Sequence, residues 1–527
     1  MNPFTMVLAA GAALLGALWA STGSAQQVRL TSLSTGFVLT GDLIRFDGQD
    51  YVIRSSIGQL TVNGYDVRCD GDGCPKTSIF ESTFGVIGSN MIGASLMPEL
   101  IQAYSEQVDG SVERSLGDDG AQIVMRLRDS AGQEQAEITL SAPGSSAAFS
   151  ALASGEATIG MSSRKVSDQE FAALEEAGIR DITRSGTEHV LAIDGLFITV
   201  ANGNQLNVVN VDDLVDIFAG DIDNWADLGG PDRRINVYMR EPGSGPHDGF
   251  VSALLTPRGV GVTPDAQFIG SSADLAAVVA ADPYGIGVVG LAASQLAGRV
   301  LPIETACGLI IEPSHFNLQT EEYPLTRRLY LYTTGAPLPP QARGILEYAL
   351  SDEAQGQIAQ QGFVDQRVTQ ISLNEQGRRI AEAFIALRDP EATRNMRELA
   401  LELLDADRMS TTIRFRRNSS VLDVKSISDL DRLARYIGTG ALDGRELILI
   451  GFADDAGRFE ANLGLSRRRA SQIRAELQGA LDRIGIGAES VDILELGYGD
   501  LAPVGCGDDD LGGVSNRRVE IWVRDRL

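Results

Sequence analysis

The stretch Phe84-Gly-Val-Ile-Gly-Ser-Asn-Met91 places a short apolar run directly before a glycine-serine loop, and the residues from Leu96 to Ser105 predict a helix after it. The alternation continues farther along the chain: Val211–Ala219 predicts a helix, and Ile235–Met239 predicts the strand that follows it. Strands that alternate with helices indicate an α/β architecture. Because the alternation extends over residues 78–365, we predict two α/β lobes in this segment.

Glycine-serine loops at strand ends provide the candidate binding chemistry of this segment. Free N–H groups at helix starts, together with serine hydroxyls, can converge on an anion, and an arginine can add two parallel hydrogen bonds. A plain helix N-cap explains any one loop, whereas their recurrence favours a common oxyanion site. The candidate residues are Ser89, Asn90, Met91, Gly144, Ser145, Ser146, Ser163, Arg164, Arg240, Ser244, Gly245 and His247.

The amino terminus has the pattern of an export signal. Val7–Ala20 is apolar but too short to span a bilayer comfortably, and Gly23-Ser-Ala25 supplies small residues at the −3 and −1 positions. We therefore predict a signal peptide over residues 1–25, cleavage after Ala25 and export of the mature chain. No later stretch approaches the roughly 18 apolar residues of a membrane-spanning helix.

Residues 26–77 alternate apolar and polar side chains between regularly spaced glycines, which predicts a small all-β module. Cys69 and Cys74 bracket the turn sequence Asp-Gly-Asp-Gly, and export favours oxidation, so we predict a disulfide between them. Cys307 and Cys506 form either a long-range pair or two buried thiols, and the sequence leaves both possibilities open.

The carboxy-terminal part of the chain has a different pattern. Residues 366–408 predict a helical connector, and residues 409–527 follow the order βαβαββ, which predicts an α+β domain with its helices on one face of the sheet. Asp454 ends a predicted strand and Arg469 lies in the helix that follows. This pair suits the free end of an amino acid, because Arg469 can hold the carboxylate while Asp454 meets the ammonium. Asn462 can fix the connecting loop through bonds to the backbone.

Charge and histidine content exclude other classes of function. The chain has 71 acidic and 44 basic residues and a formal net charge of −27, a field that repels nucleic acid. Its 3 histidines form no pattern of a nucleophilic triad or a histidine-glutamate metal site. We therefore predict no catalytic residue, no metal and no cofactor.

Residues 80–365 resemble periplasmic phosphate-binding proteins of the ABC-importer type. The matching stretches are Gly88-Ser-Asn90, Gly144-Ser-Ser146, Gly160-Met-Ser-Ser-Arg164, Ile217-Phe-Ala-Gly-Asp-Ile-Asp-Asn-Trp225 and Arg240 through Gly245. The resemblance implies a type II-like periplasmic binding protein fold, inorganic phosphate or a related oxyanion as ligand, and an ABC permease as partner. The resemblance implies that Ser163 lies near the position where the family often has a buried aspartate that accepts a proton from the anion. Pro246 replaces the usual threonine of the third loop, and His247 offers a compensating donor.

Residues 411–525 resemble the OmpA-like peptidoglycan-binding domain over nearly their whole length. Three stretches carry the resemblance: Gly451-Phe-Ala-Asp454-Asp-Ala-Gly457, Asn462-Leu-Gly-Leu-Ser-Arg-Arg-Arg469-Ala470 and Asn516-Arg517-Arg-Val-Glu520. Ala453 replaces the threonine that commonly precedes the aspartate. The resemblance implies diaminopimelate of the peptidoglycan stem peptide as the ligand of Asp454 and Arg469, with Arg517 as a supporting contact.

These patterns together predict a multidomain, non-enzymatic protein of the periplasm. We expect it to capture phosphate or a similar oxyanion and to associate with peptidoglycan or the outer membrane through non-covalent peptidoglycan binding. The alternative is a cell-wall-anchored structural or interaction protein with a degraded ligand site. A third hypothesis, a phosphate-ester hydrolase, requires a metal or nucleophile for which the sequence has no pattern.

Overall fold

The computed structural model of the chain has two compact units, which divide between Phe80 and Glu81. It describes residues 27–32, 37–46, 50–63, 67–71, 73–74, 82–117, 120–296, 298–416, 419, 421–487, 490–506 and 515–526. The predicted signal peptide, residues 1–25, lies outside these residues. Within them, no helix combines the length and apolar character needed to cross a bilayer.

The first unit is a five-stranded antiparallel sheet, as the alternation of side chains predicts. Its strands are β1 (Gln27–Ser32), β2 (Val38–Phe46), β3 (Asp50–Ser55), β4 (Gly58–Asn63) and β5 (Val67–Asp70), in the order β4-β3-β2-β1-β5. Val28, Leu30 and Ile53 form its small core. The predicted disulfide between Cys69 and Cys74 is present, and it compensates for the limited apolar burial available to a module of this size.

The middle domain has the predicted alternation of strands and helices. Its strands are β6 (Ser82–Gly88), β7 (Ser111–Leu116), β8 (Gln122–Arg128), β9 (Glu134–Ser141), β10 (Ile159–Ser162), β11 (Glu188–Val200), β12 (Val209–Asn210), β13 (Asn236–Arg240), β14 (Gln267–Ile269), β15 (Gly285–Gly290), β16 (Arg299–Val300), β17 (Ile303–Glu304), β18 (Ile310–Ile311) and β19 (Thr326–Tyr332). Its helices are α1 (Met97–Gln107), α2 (Ser145–Ser154), α3 (Asp168–Glu176), α4 (Val211–Ala219), α5 (Gly245–Phe250), α6 (Ser272–Ala281), α7 (Leu291–Ser294), α8 (His315–Gln319), α9 (Pro340–Leu350) and α10 (Gln355–Gln360).

The long strand β11 joins two lobes. It pairs with β19 from Glu188 to Gly195 and with β15 from Leu196 to Val200. The sheet of lobe 1 runs β19-β10-β6-β9-β8-β7, and that of lobe 2 runs β14-β13-β15-β11. Each lobe has its own apolar core, which includes Val86 and Leu331 in lobe 1 and Phe218 and Val288 in lobe 2. Of the 13 residues of β11, 12 are buried, as expected for an internal strand. Most of them are apolar, but the buried set includes Glu188 and Asp194.

The carboxy-terminal domain follows the predicted order. It consists of β20 (Gln370–Ser372), α11 (Gly377–Ala386), α12 (Pro390–Glu402), β21 (Ala406–Arg414), α13 (Val424–Gly438), β22 (Arg445–Gly451), α14 (Phe459–Arg483), β23 (Asp492–Gly497) and β24 (Arg518–Asp525). The sheet order is β20-β21-β24-β22-β23.

Both faces of this sheet are covered, because successive side chains of a strand point to opposite faces. Leu447 and Leu449 of β22 pack with α13 and α14, whereas Ile448 and Ile450 pack with Met396 and other residues of α11 and α12. The segment 366–408 is therefore more than a connector: it contributes an edge strand and a second helical layer. Sequence periodicity identified its helices, but the face that they cover depends on the sheet.

Buried ion pairs join the carboxy-terminal domain to the middle domain. Arg408 of β21 donates to Glu322 and to Gln376, and its side chain is fully buried. Arg414 donates to the carbonyl of Thr320. Cys307 and Cys506, whose state the sequence left open, form a disulfide. Buried charges require such pairing, so the two domains share a continuous polar and covalent interface.

Candidate functional site

Loops from three parts of lobe 1 meet at the end of β6. The amide of Ser89 donates to the carbonyl of Met161 on β10 at 2.8 Å, and the amide of Gly144 donates to the carbonyl of Gly88 at 2.9 Å. The hydroxyl of Ser145 at the start of α2 lies 3.1 Å from the hydroxyl of Ser163 and accepts from the Ser163 amide. The structure therefore brings the first two predicted loops and the end of β10 together.

Ser89 is the buried donor at this junction. Its hydroxyl is shielded from solvent and has no hydrogen-bond partner among the described residues. The preceding Gly88 has φ +144°, and a Cβ there would lie 2.0 Å from the carbonyl oxygen of Met161. Only glycine fits this position, so the tight turn that brings Ser89 into the junction depends on Gly88.

The third loop begins at the end of β13 in lobe 2. Arg240 donates from Nε to the carbonyl of Ile269 at 2.9 Å and from Nη1 to the hydroxyl of Ser272 at 3.0 Å. Nε also lies 3.4 Å from the carboxylate of Glu241. These contacts fix the guanidinium, and Nη2 makes no hydrogen bond within the part of the chain that the structure describes. Ser244 folds back onto the loop, donating to the carbonyl of Glu241 at 2.7 Å.

The two lobes touch across the cleft through predicted site residues. Asn90 of lobe 1 donates to the carbonyl of Gly243 in lobe 2. Met91 packs so closely on Gly245 that a Cβ at Gly245 would lie 2.2 Å from its sulfur. His247 lies 2.9 Å from Asp248, and its side chain is largely buried. Thus the first and third loops face each other in a closed arrangement.

Arg164 and Ser146 belong to a neighbouring cluster on lobe 1. Arg164 forms two hydrogen bonds with Glu170 at 2.7 and 2.8 Å, and it also donates to Ser146 at 2.8 Å. The Glu170 carboxylate accepts a hydrogen bond from the amide of Ser167, and the Ser167 hydroxyl accepts one from the amide of Glu170. The two residues thus form a capping box at the start of α3. Burial opposes ionisation of Glu170, but the bonds from Arg164 and Ser167 outweigh it and lower its pKa to about 2. The charge of Arg164 is therefore closely paired with Glu170, whereas the carboxylate nearest to Arg240, that of Glu241, lies 3.4 Å from its Nε.

Two charged residues at the lobe crossing were not among the predicted site residues. Arg327 of β19 and Asp194 of β11 form an ion pair at 2.7 Å. Arg327 also donates to the carbonyl of Gly245 at 2.8 Å. The sequence signal that could have revealed Arg327 is the adjacent pair Arg327 and Arg328 in a strand that is otherwise mostly apolar. The partner of Arg327, Asp194, lies 133 residues away along the chain.

The predicted residues of the carboxy-terminal domain also converge. Arg517 donates to a carboxylate oxygen of Asp454 at 2.9 Å. Asn462 donates from its side chain to the backbone carbonyl of Asp454 at 3.1 Å, the loop-fixing role expected for it. Arg469 donates to the carbonyl of Phe452 at 2.9 Å and lies over the ring of Phe415, 5.1 Å from its centroid.

The electrostatics of this group favour an anion at Arg469. Burial, partly offset by Asp454 and reinforced by the nearby cations Arg517 and Arg468, lowers the pKa of Arg469 to about 10. Arg469 is nevertheless charged at neutral pH and lacks a carboxylate hydrogen bond within the described chain. Asp500, which the sequence motifs did not include, is a further carboxylate near this group, and burial raises its pKa. Within the described residues, no group of three or more His, Cys, Asp or Glu side chains could hold a metal ion.

A two-lobed α/β domain whose cleft is lined by strand-end loops defines a periplasmic-binding-protein fold. Residues 115–353 match the PBP superfamily domain, and residues 414–483 match the OmpA family. The phosphate-binding protein PstS of Bacillus subtilis is 30% identical over 240 residues, which cover 44% of this chain and 74% of that protein. The chain therefore belongs to the phosphate-binding protein PstS family, fused to a carboxy-terminal OmpA family domain, as the two sequence resemblances predicted.

Two solved structures resemble the separate parts of the chain. An ABC-type phosphate transport receptor from Vibrio cholerae has 22% sequence identity and a TM-score of 0.41, covering 53% of this chain and 99% of that chain. The peptidoglycan-associated lipoprotein from Burkholderia pseudomallei has 25% identity and a TM-score of 0.19, covering 21% of this chain and 89% of that chain.

Proposed function

We propose that the protein is a non-enzymatic periplasmic binding protein that captures phosphate or a similar tetrahedral oxyanion between the lobes of its middle domain. In this proposal the OmpA family domain holds it on the cell wall by non-covalent binding to the peptidoglycan stem peptide. Delivery of the anion to an ABC permease is the corresponding partner interaction. The family membership of both domains supports this assignment.

The buried hydroxyl of Ser89 is the observation that carries the oxyanion assignment. A buried polar group without a partner costs about 1–3 kcal/mol, so the position is explained best by a ligand that accepts this hydrogen bond. Arg240 of the facing lobe would provide a charged donor for the same ligand through Nη2, which makes no hydrogen bond among the described residues, while its Nε contacts Glu241. Between them, the loops contribute serine hydroxyls and backbone amides, which suit a desolvated anion.

Isothermal titration of the purified protein with phosphate, sulfate and phosphonates tests the proposal. We expect phosphate binding in the wild type and at least about tenfold weaker binding in Ser89→Ala, which loses one buried hydrogen bond. Ser150→Ala is the matched control, because Ser150 is an exposed serine of α2 whose hydroxyl bonds only to its own helix. Binding of none of these anions would favour the alternative, a cell-wall-anchored interaction protein with a degraded ligand site.

The wall-binding assignment rests on the opposite charges of Asp454 and Arg469. The carboxylate end of diaminopimelate would bind Arg469, and its ammonium would bind Asp454, which Arg517 orients. Isolated peptidoglycan should therefore sediment the protein although the whole chain is acidic. Free diaminopimelate should compete at millimolar concentration, and failure to compete with pelleting intact would indicate recognition of glycan instead.

A further inference from the structure

Arg327 and Asp194 lie directly opposite each other where the two lobes join. They are register partners on β19 and β11, and β11 leaves the lobe 1 sheet one residue later. Arg327 donates from Nε and Nη2 to the same carboxylate oxygen of Asp194, at 2.8 and 2.7 Å. The side chains are only 15% and 4% exposed, so this ion pair is a buried component of the lobe crossing.

The other contacts of Arg327 reach the binding loops of both lobes. Its Nη1 donates to the carbonyl of Gly245, in the third loop of lobe 2, at 2.8 Å. Its Nη2 also lies against the sulfur of Met91, in the first loop of lobe 1. One guanidinium therefore contacts the crossing strand and the two loops that meet across the cleft.

The helix beside Arg327 has a specific gap for this side chain. A Cβ on Gly249 in α5 would lie 2.0 Å from Nη1 of Arg327 and 2.6 Å from its Cζ. Any larger residue at position 249 would displace the guanidinium from the carbonyl of Gly245. The position of Arg327 is thus determined from three sides, by Asp194, by Gly245 and by the backbone of Gly249.

We propose that Arg327 and Asp194 form a charge-balanced positioning pair that sets both the geometry of the oxyanion site and the charge beside it. Arg327 holds the third loop against the first loop, so that Ser89 and Arg240 face one ligand. Asp194 cancels the charge of Arg327, so that the attraction for an anion comes from the loop donors and from Arg240, whose charge Glu241 balances only in part. This inference rests on the proposed oxyanion-binding function.

Opposite changes in affinity distinguish this role from simple structural support. Arg327→Met leaves the buried carboxylate of Asp194 uncompensated beside the cleft, and we expect phosphate affinity to fall by at least about 30-fold. Asp194→Asn leaves the cation uncompensated, and we expect phosphate affinity to be retained or to rise by up to about tenfold. Both variants break the same ion pair, so a purely structural role would weaken binding in both.

A second pair of variants tests the geometry without changing any charge. Gly249→Ala should weaken phosphate binding by about tenfold, because the added methyl displaces the guanidinium from Gly245. Gly261→Ala is the matched control in lobe 2, since a Cβ there meets no atom within 4 Å. Thermal unfolding of each variant shows whether it folds. If Arg327→Met does not fold, the comparison of Gly249→Ala with Gly261→Ala still tests the proposal.

Calorimetric titration with inorganic phosphate separates the possible outcomes. If the wild type binds no oxyanion, both the proposed function and this inference are overturned. If the wild type binds phosphate but Arg327→Met and Asp194→Asn lose affinity equally, or Gly249→Ala binds like Gly261→Ala, the inference alone is overturned. Loss in Arg327→Met and Gly249→Ala, with affinity retained in Asp194→Asn, supports the positioning pair.

Discussion

The two candidate sites of this chain differ in how they present charge. In the middle domain, hydroxyls and amides around Ser89 and Ser145 come from one lobe, and Arg240 comes from the other. In the carboxy-terminal domain, Asp454, Arg469 and Arg517 belong to a single sheet-and-helix body. The first site thus consists mainly of neutral donors divided between two lobes, and the second of opposite charges within one fold.

This difference follows from the ligand that each site is proposed to hold. An enclosed tetrahedral anion needs donors on every side, and neutral donors are cheaper to desolvate than several cations. A zwitterionic amino-acid end instead needs a cation and an anion at a fixed separation, which a rigid domain maintains best. Dependence on a single charged residue should therefore be strongest in the carboxy-terminal site.

Loss of Arg469 is expected to have the largest effect. Arg469→Ala should abolish sedimentation of the full protein with isolated peptidoglycan, because the ligand carboxylate loses its buried partner, at a cost of about 2–5 kcal/mol. Asp454→Ala should have the same result by leaving the ammonium unpaired. A pelleting assay measures both.

Arg468→Ala provides the control for this prediction. Arg467 and Arg468 are exposed on α14, whereas Arg469 is buried, so removal of Arg468 should leave pelleting largely unchanged. Equal loss in Arg468→Ala and Arg469→Ala would mean diffuse charge attraction, and the contrast between the two sites would disappear.

Acid should weaken the contact between the middle domain and the carboxy-terminal domain, where Glu321 pairs with Arg328 and Arg414. Burial opposes ionisation of Glu321, but Arg328, Lys425 and Arg414 outweigh it and hold its pKa at about 2, against an ordinary value of 4.5. The folded-state pKa is thus lower than that of the unfolded chain. Glu321 stabilises the fold fully above about pH 4.5, and its contribution of about 3 kcal/mol is lost as pH falls toward 2.

Urea unfolding from pH 7 to pH 2 measures this contribution. Glu321→Gln should be less stable than the wild type at pH 7 and should converge with it near pH 2. Glu353→Gln, which removes an exposed carboxylate from the adjoining part of lobe 1, should show no such convergence. A constant difference between Glu321→Gln and the wild type at every pH would refute the assignment.

Arg240→Ala should have a smaller effect on the middle-domain site. We expect phosphate binding to weaken by about 2 kcal/mol, the low end for a charged partner, because neutral donors remain and the side chain is 20% exposed. Calorimetry measures the change, and Arg233→Ala, an exposed arginine of the same lobe, should bind like the wild type. An unchanged affinity in Arg240→Ala would remove Arg240 from the site.

The smallest expected effect concerns the choice between anions. Phosphate carries a proton at neutral pH that needs an acceptor, whereas sulfate does not. The sequence resemblance implies that Ser163 lies near the position where the family often has an aspartate in this role. We expect the wild type to prefer phosphate over sulfate by less than about tenfold. Ser163→Asp should increase the preference in paired titrations, and a strong preference in the wild type would point to another acceptor.

Local sequence patterns were sufficient for the order of domains and for most elements. The alternation around Phe84 and Val211 identified the α/β segment, and the order βαβαββ identified the last domain. The glycine-serine loops predicted residues that do meet, such as Ser145 and Ser163, because strand ends of one parallel sheet share an edge. The Cys69–Cys74 disulfide was predictable for the same reason, since its turn is local.

The tertiary structure alone decided which distant charges and thiols became partners. Arg327 pairs with Asp194 across a sequence separation of 133 residues, and Cys307 pairs with Cys506 across 199. It also placed Arg240 beside the carbonyl of Ile269 and the hydroxyl of Ser272, 29 and 32 residues farther along the chain. Periodicity reports the face on which a side chain lies, but not which element covers that face. Pairing of buried charges and thiols therefore becomes known only when the packed domains bring them together.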